Sequence, residues 1–431
     1  MAAMALSSFT YNLLTHLRGV ALCIASLWSK SKRNLRRARS DWQLRLARFM
    51  SENATKPTFW CHLNTFEDYE QCAPIIRSFE KTHPGWNYII TFQNPMGLTL
   101  HRLFDETFYT DILPNDTPKN VKRFFSIASP TVAIMLNQRH MGNFLLALQK
   151  GGIPTYLVAA KYNAKSPVFK RRKHRLRRWL HLYTWIFTID TTTVDLLSRR
   201  GITHVTCAGD MIFDKIAQAM SVAKPIAALE DLASQGGNLI VASCTTEKDE
   251  AALLPLVWNL PPQWRLVVIP NEVNEERIVK WLNQVNRGAC RASKHPSKEE
   301  LARCVLFLLD APGQELSAYR HAAIAYVGGG FENQLADVFE PAAFGIPIVF
   351  GARHHNRPDA VLLREHNAAA AAYAPTQLAT ICLSLMGNVN IRARMGERAD
   401  DFFTQHVGST DAILRRIEAD ILLTNVPYES T

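Results

Sequence analysis

Tyr326 to Gly351 reads YVGGGFENQLADVFEPAAFGIPIVFG. It opens by completing an apolar run, Ile324 to Val327, that predicts a strand. Gly328, Gly329 and Gly330 follow, and then a polar segment. Glu340 and Pro341 lead into a short helix of small residues, Ala342 and Ala343. Gly345 stops it, and Ile346 to Phe350 predicts a second strand. Glycines between a strand and a helix let backbone N–H groups approach a phosphate. A carboxylate a turn into the helix reaches a ribose hydroxyl. Any α/β protein contains strand–turn–helix units, so the glycines alone decide little. With the Glu-Pro-Ala-Ala-Phe-Gly-x-Pro run from Glu340 to Pro347 they give the layout of a nucleotide-sugar site.

Outward from this unit, strand and helix patterns alternate from residue 57 onward, which predicts parallel sheets covered by helices. In the first half, the runs beginning at Thr58, Tyr88, Phe108, Val132, Pro154, Thr184 and His204 read as strands. A helix and linker cover Ile216 to Gly237, and the pattern then restarts at Leu239, Trp264 and Cys304. Leu378 to Met386 and Met395 to Ala419 read as helices. The expectation is an α/β chain of two Rossmann-like domains facing a central cleft, with ligand at the carboxyl ends of the strands. Residues 1–50 form an anchor and basic segment, 51–225 the N-terminal domain, and 226–431 the C-terminal domain with its terminal helices.

A chain of 431 residues, 47% hydrophobic, is long enough for two cores. Its eight cysteines include no CxxC pair, which excludes a zinc ribbon and a thioredoxin-type motif, and reduced thiols are expected. The net charge of +11 implies an anionic partner. Basic residues cluster from Lys30 to Arg48 and from Lys170 to Arg178. No nucleic-acid module with interleaved aromatics is present, so a membrane or a phosphorylated lipid is the favoured partner. The apolar run Gly19 to Trp28 is shorter than the roughly 20 residues a span needs, which favours an N-terminal interfacial helix. The arginines after it favour the anionic cytoplasmic leaflet over a signal peptide. An amphipathic helix packed on the domain stays open.

Motifs along the whole chain carry a resemblance. They include Tyr11-Asn12-Leu13, His62 with Tyr69-Glu70-Gln71, and Asp116-Thr117-Pro118-Lys119-Asn120. They continue with Ala208-Gly209-Asp210, Tyr326 to Gly351, Gly396-Glu397-Arg398-Ala399 and Gly408-Ser409-Thr410. The chain resembles the 3-deoxy-D-manno-octulosonic acid (Kdo) transferases of lipopolysaccharide synthesis, especially the Bacteroidetes-type form. The resemblance implies a GT-B glycosyltransferase with an acceptor domain first and a donor domain second. It implies metal-independent, inverting transfer from CMP-Kdo to a lipid A precursor, at the cytoplasmic face of the bacterial inner membrane.

It also assigns residues. The family base is the Glu of Ser-x-Gly-Glu after the first strand. Here the segment is Thr65-Phe66-Glu67-Asp68, so Asp68 stands at the base position and Glu67 replaces the Gly. In the acceptor domain the family Glu-x-Trp-Pro-Asn is Arg139-His140-Met141-Gly142-Asn143 here, which keeps Asn143 and reverses the charge at Arg139. Lys161 and Thr65 complete the acceptor set. On the donor side Gly328, Gly329, Gly330, Glu340 and Ser243 match, and Asp337 stands for Asn. Pro270-Asn271-Glu272 replaces a turn with a His or Arg, so one basic group is missing. Each of these residues is also of a type that caps helices or closes turns. Three readings stand on the sequence: an active Kdo transferase, a related glycosyltransferase with a changed donor or acceptor, and a non-catalytic membrane-bound homologue.

Overall fold

The computed structural model describes residues 2–104, 107–136, 141–166, 169, 178–234, 237–285, 288–332, 335–355 and 357–425. It divides into two compact units, Met1–Lys215 with Gly408–Thr431, and Ile216–Val407.

The first unit holds strands β1 (Thr58–Leu63), β2 (Asn87–Phe92), β3 (Tyr109–Ile112), β4 (Val132–Leu136), β5 (Thr155–Ala160), β6 (Trp185–Thr188) and β7 (Val205–Cys207). They form one parallel sheet in the order β3-β2-β1-β4-β5-β6-β7. Helices cover both faces, so the strands are mostly apolar, with buried polar residues such as His62, Thr91 and Asp111 among them, and alternate residues feed opposite cores. Trp60, Ile89 and Ala133 enter one core, and Phe59, Cys61, Ile90 and Ile134 the other. The strand order reverses between β1 and β4, the place where such sheets bind ligands.

Two of the predicted boundaries move. Helix Trp42–Ser51 belongs to the first unit, because Trp42, Leu46 and Met50 are buried in its core. Arg45 of this helix also grips the buried Asp111 of β3 through two hydrogen bonds, 2.9 and 2.7 Å. At the other end, helix Ser409–Asn425 leaves the second unit and belongs to the first. Its stripe of Ile413, Leu414, Ile417 and Ile421 packs under the sheet, and Tyr156 of β5 donates to Asp420 at 2.8 Å. The N–H groups of Gly408 and Thr410 close the return on the Asp214 carboxylate at 2.7 and 2.6 Å.

Helix Ala2–Ala25 is tied down by Tyr11, whose hydroxyl donates to Asp116. Among the described residues no helix is long and apolar enough to cross a membrane. The eight cysteines are free.

The second unit repeats the architecture with β8 (Asn238–Thr245), β9 (Trp264–Pro270), β10 (Ala289–Arg291), β11 (Leu306–Leu308), β12 (Ala322–Val327), β13 (Ile348–Gly351) and β14 (Ala369–Ala372). The order is β10-β11-β9-β8-β12-β13-β14, again parallel, with the reversal between β8 and β12. Gly328, Gly329 and Gly330 leave β12 at that reversal.

Candidate functional site

In the first unit the candidate residues line up along the carboxyl ends of β1, β4 and β5. Thr65 caps helix Phe66–Thr82, its hydroxyl accepting from the Asp68 N–H at 3.2 Å. Asp68 returns the bond: its Oδ2 accepts from the N–H groups of Asn64 and Thr65 at 2.9 and 3.1 Å. This is a capping box. Asp68 is only 7% exposed, while Glu67, one residue earlier, lies open to solvent. The Glu67 carboxyl is held below its usual range by its own backbone N–H and by the Thr65 hydroxyl. The residue expected as base is thus bound to the backbone, and its neighbour carries the accessible carboxylate.

Asn143, in the first turn of helix Gly142–Lys150 after β4, is similarly engaged. Its amide donates to the Asp116 carbonyl at 2.7 Å. The N–H groups of Asn143 and Phe144 donate to the Asp116 carboxylate at 3.2 and 3.1 Å. Asp116 therefore occupies the positive end of this helix and acts as its anion. Burial pushes the Asp116 carboxyl up to about 6, against the pull of Tyr11, Asn143 and Phe144. The sequence reading quoted Asp116 without giving it a role; the missing signal was its distance in sequence from every partner. Lys161 follows β5 directly and is exposed. Arg139 lies outside the described residues, as do residues 170–177 of the second basic cluster.

In the second unit the three glycines answer to backbone packing. A Cβ on Gly328 would run into the Cys244 carbonyl, and one on Gly330 into the backbone of Gly351. Gly329 has φ +83°, open to glycine without strain. Two N–H groups of the loop are already used. Gly328 donates to the Ser243 carbonyl at 2.9 Å and Gly329 to Asp249 Oδ2 at 2.7 Å. Asp249, fully buried, also accepts from the Tyr326 hydroxyl and from the N–H and hydroxyl of Thr246. Sequence reasoning passed over Asp249, although Thr246-x-x-Asp249 has the spacing of a helix cap.

The remaining donor candidates divide. Ser243 is buried at the end of β8, its hydroxyl bonded to Tyr319, and faces the core. Asp337 accepts from the Phe339 N–H at 2.8 Å, and Glu340 lies half-buried in the first turn of helix Phe339–Ala342. Glu340 and Glu315 both lie close enough to Cys244 to push its thiol up, after burial, to about 12. Asn271 and Glu272 follow β9 and are exposed. The basic group missing from their turn returns from the next helix. Arg277 donates to the Glu272 carbonyl at 3.0 Å and pairs with Glu250 at 3.4 Å. Burial raises the Glu250 carboxyl to about 7 despite that partner. Arg277 was unread because it stands six residues beyond Asn271, in what scans as an ordinary amphipathic helix.

Residues 40–215 match the family model for 3-deoxy-D-manno-octulosonic-acid transferase (kdotransferase). Over 438 residues the chain is 25% identical to the 3-deoxy-D-manno-octulosonic acid transferase of Bordetella pertussis, covering 93% of this chain and 97% of that protein. It is 22% identical to the transferase of the same description from Chlamydophila psittaci, over 71% of this chain and 72% of that one. Among solved structures, the UDP-GlcNAc 2-epimerase of Neisseria meningitidis matches with a TM-score of 0.56 at 15% identity, covering 85% of this chain and 100% of that chain. That likeness is one of fold, the two-domain GT-B architecture. The family model in the first unit and the transferases matched across both units make the chain similar to Kdo transferases over most of its length.

Proposed function

We propose that this protein transfers Kdo from CMP-Kdo to a lipid A precursor, with inversion and without a resident metal. The observation that carries this is the likeness to a Kdo transferase over 93% of the chain. The exposed Glu67 at the end of β1 and the half-buried Glu340 beyond the glycine loop support it. In this reading an acceptor hydroxyl attacks the anomeric carbon of Kdo, and the bond to the CMP phosphate breaks with its electron pair leaving on CMP. The hydroxyl proton passes to Glu67. Asp68 holds the turn that presents Glu67, and Glu340 meets the ribose. Purified protein given CMP-Kdo and a lipid A precursor is expected to release CMP. A folded protein that releases none refutes the proposal.

We place the reaction at the cytoplasmic face of the bacterial inner membrane. Leu13, Leu17, Val20 and Ile24 are exposed at helical spacing along Ala2–Ala25, and Leu27 and Trp28 continue the stripe. Lys30, Lys32, Arg33, Arg36 and Arg37 follow, all exposed. An apolar stripe beside a cationic helix suits insertion among anionic headgroups.

The lowered Glu67 carboxyl and the engaged Asp68 favour a second reading, a homologue that binds donor without transfer. Binding of CMP-Kdo with no CMP release would support it.

A further inference from the structure

Helix Pro95–Phe104 follows β2 and has two apolar faces. Gly97, Leu98 and His101 are buried on one side, and Leu98 joins the same core as Phe92. Met96, Leu100 and Leu103, spaced i, i+4 and i+7, share the other side, where Met96 is 62% and Leu103 72% exposed. A surface helix ordinarily turns such a stripe toward the core. The buried side rests on the turn that presents Glu67: a Cβ on Gly97 would come within 3.2 Å of the Phe66 nitrogen and of the Thr65 carbonyl carbon. Helix Lys30–Ala38 packs beside this helix, with Leu35 and Ala38 against the same core and Lys30, Lys32, Arg33, Arg36 and Arg37 exposed. Its two ends are fixed. The Arg33 guanidinium donates to the Ser26 and Leu27 carbonyls at 3.1 and 2.9 Å, closing the corner with helix Ala2–Ala25. Arg39 donates to the Leu113 carbonyl at 3.0 Å, just past β3.

We propose that the stripe of Met96, Leu100 and Leu103 is a second membrane contact, which enters the headgroup boundary of an anionic leaflet and holds the end of β1 over it. The inference rests on the membrane placement above and adds the surface that orients the site. Shape and charge select the occupant. A helix face is convex and encloses no single acyl chain, which takes a concave site. Three side chains fall well short of the roughly 800 Å² per partner that a stable dimer needs. An apolar stripe with a cationic helix beside it suits the boundary between acyl chains and anionic headgroups. The depth agrees. An interfacial helix buries its apolar face by about 5–10 Å. A helix with its side chains is about 10–12 Å across. The turn from Thr65 to Asp68, on the far side of helix Pro95–Phe104, then stands at headgroup level, where the sugar hydroxyl of a lipid acceptor emerges.

The test is co-sedimentation of the full chain with phosphatidylcholine vesicles, with and without phosphatidylglycerol, for the parent and for Met96→Gln combined with Leu103→Gln. CMP release is measured alongside, with the lipid A precursor held in the same vesicles or dispersed in detergent. Both side chains are exposed, so melting temperatures are expected to match. The double variant is expected to bind anionic vesicles about ten- to a hundred-fold more weakly. Its turnover should fall in step on the acceptor in vesicles, and stay within about two-fold of the parent on the dispersed acceptor. Unchanged vesicle binding overturns the proposal. Equal loss of turnover on the dispersed acceptor assigns the stripe to the acceptor's own chains and overturns it as well. A parent that binds no vesicles refutes the membrane placement, and this inference with it. A parent that binds them and releases no CMP refutes the transferase reading alone, and sedimentation still decides the stripe.

Discussion

Replacing Glu67 and Asp68 one at a time separates the carboxylate that reacts from the one that holds the turn. Asp68→Ala removes the acceptor for two N–H groups, at 2.9 and 3.1 Å, and opens the capping box of helix Phe66–Thr82. Loss of a cap costs about 0.5–2 kcal/mol, and a buried side chain lies at the upper end. For a unit of this size about 2 kcal/mol lowers the melting temperature by roughly 4–8 °C. Asp68→Asn keeps one carbonyl oxygen for the same N–H groups and is expected to regain most of that loss, and most of the rate. Glu67→Gln touches an exposed side chain and should move stability by less than about 0.5 kcal/mol. It removes the proton acceptor, however, and turnover should fall about 10²- to 10⁴-fold, roughly 3–5 kcal/mol of barrier. Its own N–H and the Thr65 hydroxyl hold Glu67 ionised below the usual glutamate range, so the acidic limb of kcat/KM should lie there too. The assay is CMP release alongside thermal melting. If Glu67→Gln keeps more than about a tenth of parental turnover, where at least a hundredfold loss is expected, Glu67 is not the base. If Asp68→Asn is inactive at an unchanged melting temperature, the roles are reversed.

Gly330→Ala is expected to cost more than about 2 kcal/mol in urea unfolding of the second unit, because the new Cβ meets the backbone of Gly351 and neither strand end can yield. Asp116 adds a pH dependence to the first unit. Its carboxyl is raised from 3.8 to about 6, so the folded state keeps a proton that the unfolded chain releases. Its contribution is full below the ordinary aspartate value and is lost as pH rises through 6, by at most about 1.4 kcal/mol per pH unit. Melting of the parent relative to Asp116→Asn should therefore rise on acidification from pH 7 toward 5, and parallel curves would contradict the assignment. Charge on the exposed stripe, as in Leu17→Glu with Ile24→Glu, should abolish sedimentation with anionic vesicles and leave melting unchanged.

Several strands were legible because a sheet covered on both faces favours apolar residues, and polar ones such as Asp111 enter only with a partner. Val132 to Leu136 is apolar at every position and is β4 from end to end. Four alanines at 369–372 carried no such mark. Alanine favours helix, yet the run is edge strand β14, held by pairing with β13 from Ile348 to Gly351. The return of helix Ser409–Asn425 to the first unit was illegible for a different reason. Its apolar stripe suits any core, and only the distant Asp214 and Tyr156 select the one it joins.

The site was half legible, and the illegible half follows a rule the two units share. In each, the first strand ends at Thr-x-x-Asp, Thr65 to Asp68 and Thr246 to Asp249. In each, the aspartate turns back onto the backbone: Asp68 onto Asn64 and Thr65, Asp249 onto Thr246 and Gly329. The residue at the second helical position is exposed in both units, Glu67 in one and Lys248 in the other, and only the first unit has a carboxylate there. A carboxylate three residues past the cap is thus committed to closing the turn. In the proposed reaction the proton acceptor at the end of β1 is the residue before it, the exposed Glu67. Matching Asp68 to a family glutamate by position alone selects the residue whose oxygen is already bound. The Thr-x-x-Asp spacing, read as a cap, selects Glu67 from the sequence itself.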